Sequence, residues 1–355
     1  MNRQSLVTIL EMLKPALADN QLIAVFQCYQ FTRKRVLSYN DALGIATNCH
    51  TDHAFAVNGE ILLGLLKNSN SEDVVLSPMV SGDENELHVK AGRSTFKLPF
   101  FTEDEFLFEE PADKWDVVIP ITKKLCDGIE SCLSTTSKSE AQPAFMGVCL
   151  RQTNKSVMLY STDGDAITSY NTGIEPSKVV NYSLIKVDDL MLSNAFCEAL
   201  LKLSNESSGE LFLNKEWAKA VLDNGYTIYG RLMVIDNPVD HEGAIKHTIK
   251  TDPAYFPIPD ELEPALSRAR ILADQESAKT AISIENGRLK LVTETRMGVV
   301  RDSIAIRDVG SVEANVSAEL LHRIVQQCTR MAVMDNCTAF SKDDELFQLV
   351  SNLGD

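Results

Sequence analysis

Apolar residues recur at helical spacing in the first part of the chain. Leu6, Ile9, Leu10, Leu13 and Leu17 fall on one stripe of a helix, and mostly polar residues occupy the positions around them. Patterns of this kind occur at five further places. We predict six helices, near residues 6–17, 59–66, 121–133, 193–203, 261–273 and 317–328.

Segments rich in strand-forming residues lie between these helices and are bounded by Gly, Asn and Asp. In one of them, the Asn286-Gly287 pair of the stretch ENGRL is the signal of a two-residue hairpin. We predict strands within residues 84–92, 94–100, 209–213, 226–235, 281–294 and 344–350.

Two proline-containing breaks divide the chain into three pieces of similar size. Residues 108–115 (FEEPADKW) are acidic, and residues 251–264 (TDPAYFPIPDELEP) carry four prolines, so neither segment can be a helix interior. In each piece a strand leads through a short turn, containing Asp41, Asp163 or Thr295, into a second strand. This faint repeat predicts three α+β domains with helices on one face of antiparallel sheets, over residues 1–110, 111–250 and 251–355.

The composition is that of a globular chain, with 44% hydrophobic residues and a formal net charge of −16. We find no run of about 18 apolar residues and no cleavable signal pattern, and we expect no membrane partner. The eight cysteines form no C-x-x-C pair, which favours free thiols in a reducing cytoplasm. Because DNA affinity comes from phosphate neutralisation, this acidic chain could meet DNA only through positive charge localised on one surface.

Two clusters of side chains could carry chemistry. Asp163 and Asp165 flank a glycine in MLYSTDGDAIT, where they could hold a metal ion or form a tight turn. His50, Asp52 and His53 could also ligate a metal, although a polar surface loop is the favoured interpretation. A metal-dependent hydrolase that uses Asp163, Asp165 and His50 is therefore one alternative. No common nucleotide-binding loop occurs, and we expect no cofactor, no metal and no catalysis.

Four segments together resemble one known family. They are LSRARILADQESAKTAISIENGRLKLVTE (266–294), MGVCLRQTNKSVMLYSTDGDAITSY (146–170), YGRLMVIDNP (229–238) and AGRSTFKLPFFTEDEF (91–106). The family is the β-type sliding clamp of bacterial replicative DNA polymerase, and the resemblance is collinear over nearly the whole chain. It agrees with the threefold repeat.

This resemblance implies a DNA clamp fold, in which three similar domains form a crescent and two crescents close head to tail into a ring. Double-stranded DNA would pass through the hole, and the ring would tether the polymerase without being an enzyme. Helices line the hole in this family. The basic residues that would then face DNA are Lys14, Lys67, Lys123, Lys124, Lys202, Arg268, Arg270 and Arg323.

The resemblance also implies a pocket between domains two and three that accepts short peptides of the polymerase, the clamp loader and repair proteins. The residues that match are Phe145, Thr162, Gly164, Ile167 and Pro238. Asp165 and Ala166 depart from the family, which usually has His or Tyr and then Arg there. The segment DELFQLVSNLGD lacks the usual Met-Pro-Met-Arg-Leu ending, so Leu349, Val350 and Leu353 would take its place.

Ring closure would use a small apolar joint. By the same resemblance, Phe96 and Leu98 of one subunit would face Ile271 and Leu272 of the other. The alternative is that these four are core residues of their own domains. A clamp-like interaction protein that does not close a ring is then the second reading of the function, whereas a ring of three two-domain subunits is disfavoured because the chain already holds three repeats.

Overall fold

The computed structural model describes residues 1–19, 22–81, 84–139, 141–179, 190–204, 207–233, 235, 239–250, 252–272, 279–307 and 309–353. Seven α-helices lie within them: α1 Arg3–Leu13, α2 Gly59–Lys67, α3 Lys123–Leu133, α4 Asn194–Ser204, α5 His241–Thr248, α6 Leu262–Leu272 and α7 Ala318–Val325. None of these helices is long and apolar enough to cross a membrane.

The first fifteen strands are β1 Cys28–Thr32, β2 Arg35–Tyr39, β3 Leu43–Asn48, β4 Ala54–Asn58, β5 Val74–Ser81, β6 Glu84–Ala91, β7 Ser94–Phe101, β8 Val117–Ile121, β9 Gly147–Gln152, β10 Val157–Thr162, β11 Ala166–Asn171, β12 Met191–Ser193, β13 Gly209–Leu213, β14 Trp217–Leu222 and β15 Tyr226–Arg231. Eight more follow: β16 Phe256–Pro257, β17 Lys279–Glu285, β18 Arg288–Thr295, β19 Gly298–Ala305, β20 Val312–Ser317, β21 Arg330–Val333, β22 Cys337–Lys342 and β23 Leu346–Ser351.

The chain divides into two compact units, which we name unit 1 (residues 1–123 and 195–232) and unit 2 (residues 124–194 and 233–355). Unit 1 contains an eleven-stranded antiparallel sheet in the order β5-β6-β7-β4-β1-β2-β3-β15-β14-β13-β8. Asn2 caps α1, because its side chain accepts a hydrogen bond from the Ser5 amide at 2.9 Å. The apolar stripe of α1, including Leu6, Leu10 and Leu13, is buried.

Unit 2 contains an eight-stranded sheet in the order β12-β9-β10-β11-β23-β22-β21-β16 and a four-stranded sheet in the order β19-β18-β17-β20. One of its cores joins α6 and α7 to both sheets through Leu266, Leu321, Ile282 and Phe340, which are fully buried. The Asn286-Gly287 hairpin is confirmed: both residues have positive φ, 52° and 67°, as a type I′ turn requires.

The α+β fold class predicted from the sequence is confirmed, and all six predicted helices are present. Helix α3 begins later than expected because Ile121 belongs to β8, where it pairs with Gly209 of β13. The sequence analysis missed one helix, α5, which begins at the N-cap Asp240. Its residues are too weakly amphipathic to give a clear helical pattern.

Candidate partner-binding site

The stretch MLYSTDGDAIT forms a hairpin. One Asp163 carboxylate oxygen accepts hydrogen bonds from the Asp165 and Ala166 amides, at 3.0 and 2.8 Å. The Thr162 hydroxyl donates to the Ala166 carbonyl at 2.7 Å, and Gly164 supplies the positive φ of 99°. Burial raises the pKa of Asp163. This carboxylate therefore closes a turn between β10 and β11, and no potential metal-binding group of three or more His, Cys, Asp or Glu occurs in the described ranges.

Three residues proposed for the peptide pocket lie side by side on one face of the unit 2 sheet. Thr162 is opposite Ile167 across β10 and β11, and Ile167 is opposite Leu349 across β11 and β23. Thr162 and Leu349 are buried, whereas Ile167 is half-buried. The ring of Phe145 lies at the turn, because a Cβ at Gly164 would be 3.4 Å from its Cε2 atom.

The other proposed pocket residues have different surroundings. Val350 lies opposite Ala166, and both belong to the buried core beneath α6 and α7, so Val350 is on the face away from Ile167. Leu353 is half-buried, and its amide donates to the Asn315 carbonyl at 2.6 Å. The Asp165 side chain is exposed. Pro238 lies outside the described residues.

Helix α5 is held next to this face by polar contacts that the sequence analysis did not predict. Tyr160 donates to the Glu242 carboxylate at 2.9 Å, and Arg151 lies 3.3 Å from the same oxygen. The Arg151 guanidinium also lies over the Tyr160 ring, 5.0 Å from its centre, and the His241 ring stacks on Tyr160 at 5.5 Å. The hydrogen bond from Tyr160 lowers the pKa of Glu242. Asp240, as an N-cap, is the signal that could have revealed this helix.

An apolar cluster continues the surface beyond Leu349. Its buried members are Cys337, Ala339 and Leu349, and the half-buried side chains packed on them are Ile249, Tyr255, Met334 and Phe347. Half-buried apolar side chains around a few fixed polar groups are typical of surfaces that seat a peptide anchor.

On the opposite face of the same strands lies a buried polar network. The Gln348 amide nitrogen donates to the Thr168 hydroxyl and the Ser134 hydroxyl, both at 3.0 Å. Thr135 exchanges hydrogen bonds with Ser161 at 2.8 Å and with Thr168 at 2.6 Å. Because these polar groups have no access to water, their geometry fixes β23 against β11 and against the residues after α3.

Carboxylates neutralise several of the basic residues proposed to face DNA. Lys67 pairs with Glu11 at 2.7 Å, and Arg268 pairs with Asp302 at 2.6 Å. Lys124 pairs with Glu345, and Arg270 pairs with Glu319. Three of the remaining four are exposed and one is half-buried: Lys14, Lys123, Lys202 and Arg323.

The four residues of the proposed joint differ in exposure. Leu98 is largely buried and lies opposite Leu87 in unit 1, and Phe96 is half-buried opposite Val89. Ile271 is 81% exposed at the end of α6 in unit 2. Leu272 is half-buried, with its methyl groups about 4 Å from a Cβ built at Gly298 of β19.

Solved structures of sliding clamps share this fold along their whole length. The sliding clamp (DNA polymerase III subunit beta) of Bartonella birtlesii bound to griselimycin matches with a TM-score of 0.86 at 14% identity, covering 100% of this chain and 98% of that one. The beta clamp of Helicobacter pylori bound to a DNA ligase peptide matches with a TM-score of 0.82 at 14% identity, covering 100% of this chain and 99% of that one. The DNA polymerase III subunit beta of Pseudomonas aeruginosa matches with a TM-score of 0.82 at 16% identity, covering 99% of this chain and 98% of that one.

No family sequence model and no curated protein sequence matches the chain. The structural likeness alone therefore defines the class, and that class is the α+β DNA clamp fold. More particularly, it is the fold of the bacterial DNA polymerase III beta subunit, reproduced from one end of the chain to the other. The sequence-based expectation of a divergent sliding clamp is confirmed at the level of the fold.

Proposed function

We propose that the chain is a sliding clamp: a non-catalytic cytoplasmic processivity factor that closes head to tail with a second copy around double-stranded DNA. The observation that carries this proposal is the full-length match to clamp structures, with TM-scores from 0.82 to 0.86. We further propose the domain division 1–110, 111–250 and 251–355, so that two chains contribute six domains to the ring.

Ring closure is supported by two edge strands, β5 and β19, and among the described residues β5 pairs along its outer edge only at Val74, with Met1. Strand β5 ends the eleven-stranded sheet of unit 1, and strand β19 ends the four-stranded sheet of unit 2. An unpaired edge offers a row of free backbone groups to another chain. Since β5 belongs to one unit and β19 to the other, pairing between copies is head to tail, and a second identical contact closes the ring.

Both edges also expose apolar side chains. Val80 of β5 is 70% exposed, and Val75 and Met79 are about half exposed. Met297, just before β19, is 86% exposed, and Ile271, at the end of α6, is 81% exposed. Exposed apolar groups concentrated at free edges mark interaction surfaces. Phe96 and Leu98 on β7, two strands from this edge, would support the joint from behind β5 and contribute to its apolar centre.

The charge distribution suits encirclement better than tight DNA binding. The seven helices carry nearly equal numbers of acidic and basic side chains, although the whole chain has a net charge of −16. Four of the eight basic residues proposed to face DNA also pair with carboxylates. A ring held by topology needs only weak, mobile phosphate contacts, for which the exposed Lys14, Lys123 and Lys202 and the half-buried Arg323 are candidates.

The partner-binding site would tether the polymerase and the clamp loader through short peptides. Thr162, Ile167 and Leu349 form its floor, and Phe145 with Gly164 forms one wall. The Helicobacter pylori clamp, which this chain resembles, holds a peptide of DNA ligase. An apolar anchor seated on Ile167, with the hairpin turn supplying polar backbone groups, would be the corresponding contact here.

Solution mass by light scattering over a concentration series tests this proposal first. A mass of twice the 39.3 kDa chain is expected, followed by retention on circular DNA and loss from the same DNA after linearisation. A monomer at every concentration would favour the interaction protein that closes no ring. A dimer that leaves circular and linear DNA equally fast would reject encirclement.

A further inference from the structure

The geometry of the partner-binding site occurs a second time, in unit 1. The turn between β2 and β3 is closed by Asn40, whose side-chain oxygen accepts from the Ala42 and Leu43 amides at 3.3 and 2.9 Å. The Ala42 carbonyl accepts from the Arg231 amide at the end of β15, at 3.0 Å. In unit 2 the turn 163–165 is closed by the same pattern of bonds. The pairing of β3 with β15 therefore corresponds to the pairing of β11 with β23.

Where β3 pairs with β15 in unit 1, the chain's own Phe108 occupies the place that a peptide side chain would take in unit 2. Gly44 stands where Ile167 stands in unit 2, and it leaves room for the ring of Phe108, whose Cε2 atom would be 3.4 Å from a Cβ at Gly44. The Phe108 ring packs on Tyr39 and Tyr229, with ring centres 4.9 and 5.1 Å apart. The irregular segment 106–112 thus places an aromatic anchor, Phe108, on this face.

Next to this segment a cleft of about 440 Å³ stays open. Its walls combine apolar side chains with three carboxylates: Leu107, Pro111, Trp217, Glu109, Glu110 and Glu216. The indole of Trp217 faces the guanidinium of Arg231, which lies 4.7 Å from the ring centre. The space is sufficient for two or three side chains of a peptide.

Some charges around the cleft are already compensated. Arg231 lies 3.7 Å from the Asp41 carboxylate. Glu110 accepts from Tyr229 and pairs with Arg35 at 3.2 Å and with Lys219 at 3.5 Å. These ion pairs fix the walls of the cleft.

The two remaining carboxylates are not compensated. Glu109 and Glu216 are both exposed, and neither has an ion pair within the described part of the chain. Lys114 is the only lining cation there that also lacks one. Two carboxylates without an ion pair thus stand against one such cation, beside an aromatic wall.

We propose that this cleft is a second docking site, which binds a short extended segment of a partner protein with a basic side chain next to an apolar one. The apolar side chain packs against Trp217 and Pro111, and the basic side chain pairs with Glu109 and Glu216. This proposal does not require ring closure or occupation of the unit 2 site. A subunit with two such sites could hold two partners at once.

Tryptophan fluorescence reads this cleft directly, because the chain has only two tryptophans. In a Trp115→Phe background, Trp217 is the sole reporter. The probes are the acetylated octapeptide GSRLFRSG and its charge-reversed partner GSELFESG. We expect GSRLFRSG to shift the emission of Trp217 with half-saturation below about 1 mM, and GSELFESG to have no effect. Anisotropy of the fluorescein-labelled peptides on the unsubstituted chain gives the same affinities without any substitution.

Paired variants locate the binding. Glu109→Gln with Glu216→Gln should weaken GSRLFRSG binding by about tenfold or more, whereas Glu210→Gln, an exposed carboxylate outside the cleft, should leave it unchanged. Ile167→Asp, in the unit 2 site, should also leave it unchanged. Equal binding of both peptides, no binding up to about 1 mM, or loss of binding in Ile167→Asp alone would each overturn the proposal.

Discussion

Gln348 and Thr168 meet across β11 and β23 in the fully buried interior of unit 2, where the Gln348 amide donates to the Thr168 hydroxyl at 3.0 Å. The two residues lie directly opposite each other in the ladder, one position away from Ile167 and Leu349. The hydrogen bonds on the buried face therefore fix the register of the exposed face, on which the proposed peptide site lies.

Replacing Gln348 should weaken unit 2 considerably. Gln348→Ala leaves the hydroxyls of Ser134 and Thr168 without their donor and opens a cavity, so we expect a loss of about 2–4 kcal/mol in the free energy of unfolding. Urea unfolding followed by circular dichroism measures it. Gln326→Ala is the matched control, since that side chain is exposed and should change the value by less than about 0.5 kcal/mol. Equal losses in the two variants would contradict the role of the network.

A charge at Ile167 should abolish peptide docking without unfolding the chain. Ile167 is half-buried and lies between Thr162 and Leu349, so Ile167→Asp should weaken binding of an anchor peptide by about thirtyfold or more. Titration calorimetry with a peptide of the cognate polymerase measures the change. The neighbouring exposed Asp165→Ala is the control, for which less than about threefold is expected. Unchanged affinity in Ile167→Asp would move the peptide site elsewhere.

A charge on the free edge of unit 1 should open the proposed ring. Val80 on β5 is 70% exposed, and Val80→Lys places a cation where a second chain would pair. We expect the dimer dissociation constant to rise at least about tenfold, as read by sedimentation velocity. Val221→Lys, on β14 inside the same sheet, is the control with unchanged dimer mass. If both variants remained dimeric to the same dilution, β5 would not be at the joint.

His241 should make stability depend on pH below neutrality. Burial, together with the nearby Arg151 charge, lowers the pKa of His241 from its usual 6.5 to about 4. The unfolded chain then binds a proton that the folded chain excludes, so stability is full above pH 6.5 and falls as the pH drops toward 4. Protonation of His241 should lower the free energy of unfolding by about 2–3 kcal/mol over this range. Urea midpoints at pH 7, 5.5 and 4.5 measure it, and His241→Phe, which keeps the stacking on Tyr160, should show a shallower slope over that window.

The hairpins could be predicted from the sequence because their signals are local. Asn286-Gly287 and the turn at Asp163 depend on residues within the turn itself, and the six other helices show their apolar stripes. Helix α5 was not predictable in this way, since it is held by Glu242 binding Tyr160 and Arg151, about 80–90 residues away along the chain. Val350 likewise lies in the core beneath α6 and α7 rather than on the peptide face. Its position follows from strand register, which the alternation of residues within one strand cannot determine.

The proposed joint shows the same limit. Leu98 and Ile271 look alike as apolar residues in the sequence, yet one is largely buried and the other is 81% exposed. Which strand ends a sheet depends on pairing order, and the sequence does not show that β5 rather than β7 is the edge of unit 1.

The pairing of strands that lie far apart in the sequence has a consequence for the speed of folding. β3 must find β15, and β11 must find β23, across separations of about 180 residues, as the Thr47–Gly225 and Gln348–Thr168 hydrogen bonds show. Such non-local pairing is slow, because the entropy of closing a long loop is lost before the contacts form. During synthesis on the ribosome, β11 would remain an unpaired edge until β23 emerged. The nascent chain should then be prone to aggregation, and a holdase chaperone should raise the yield of folded protein.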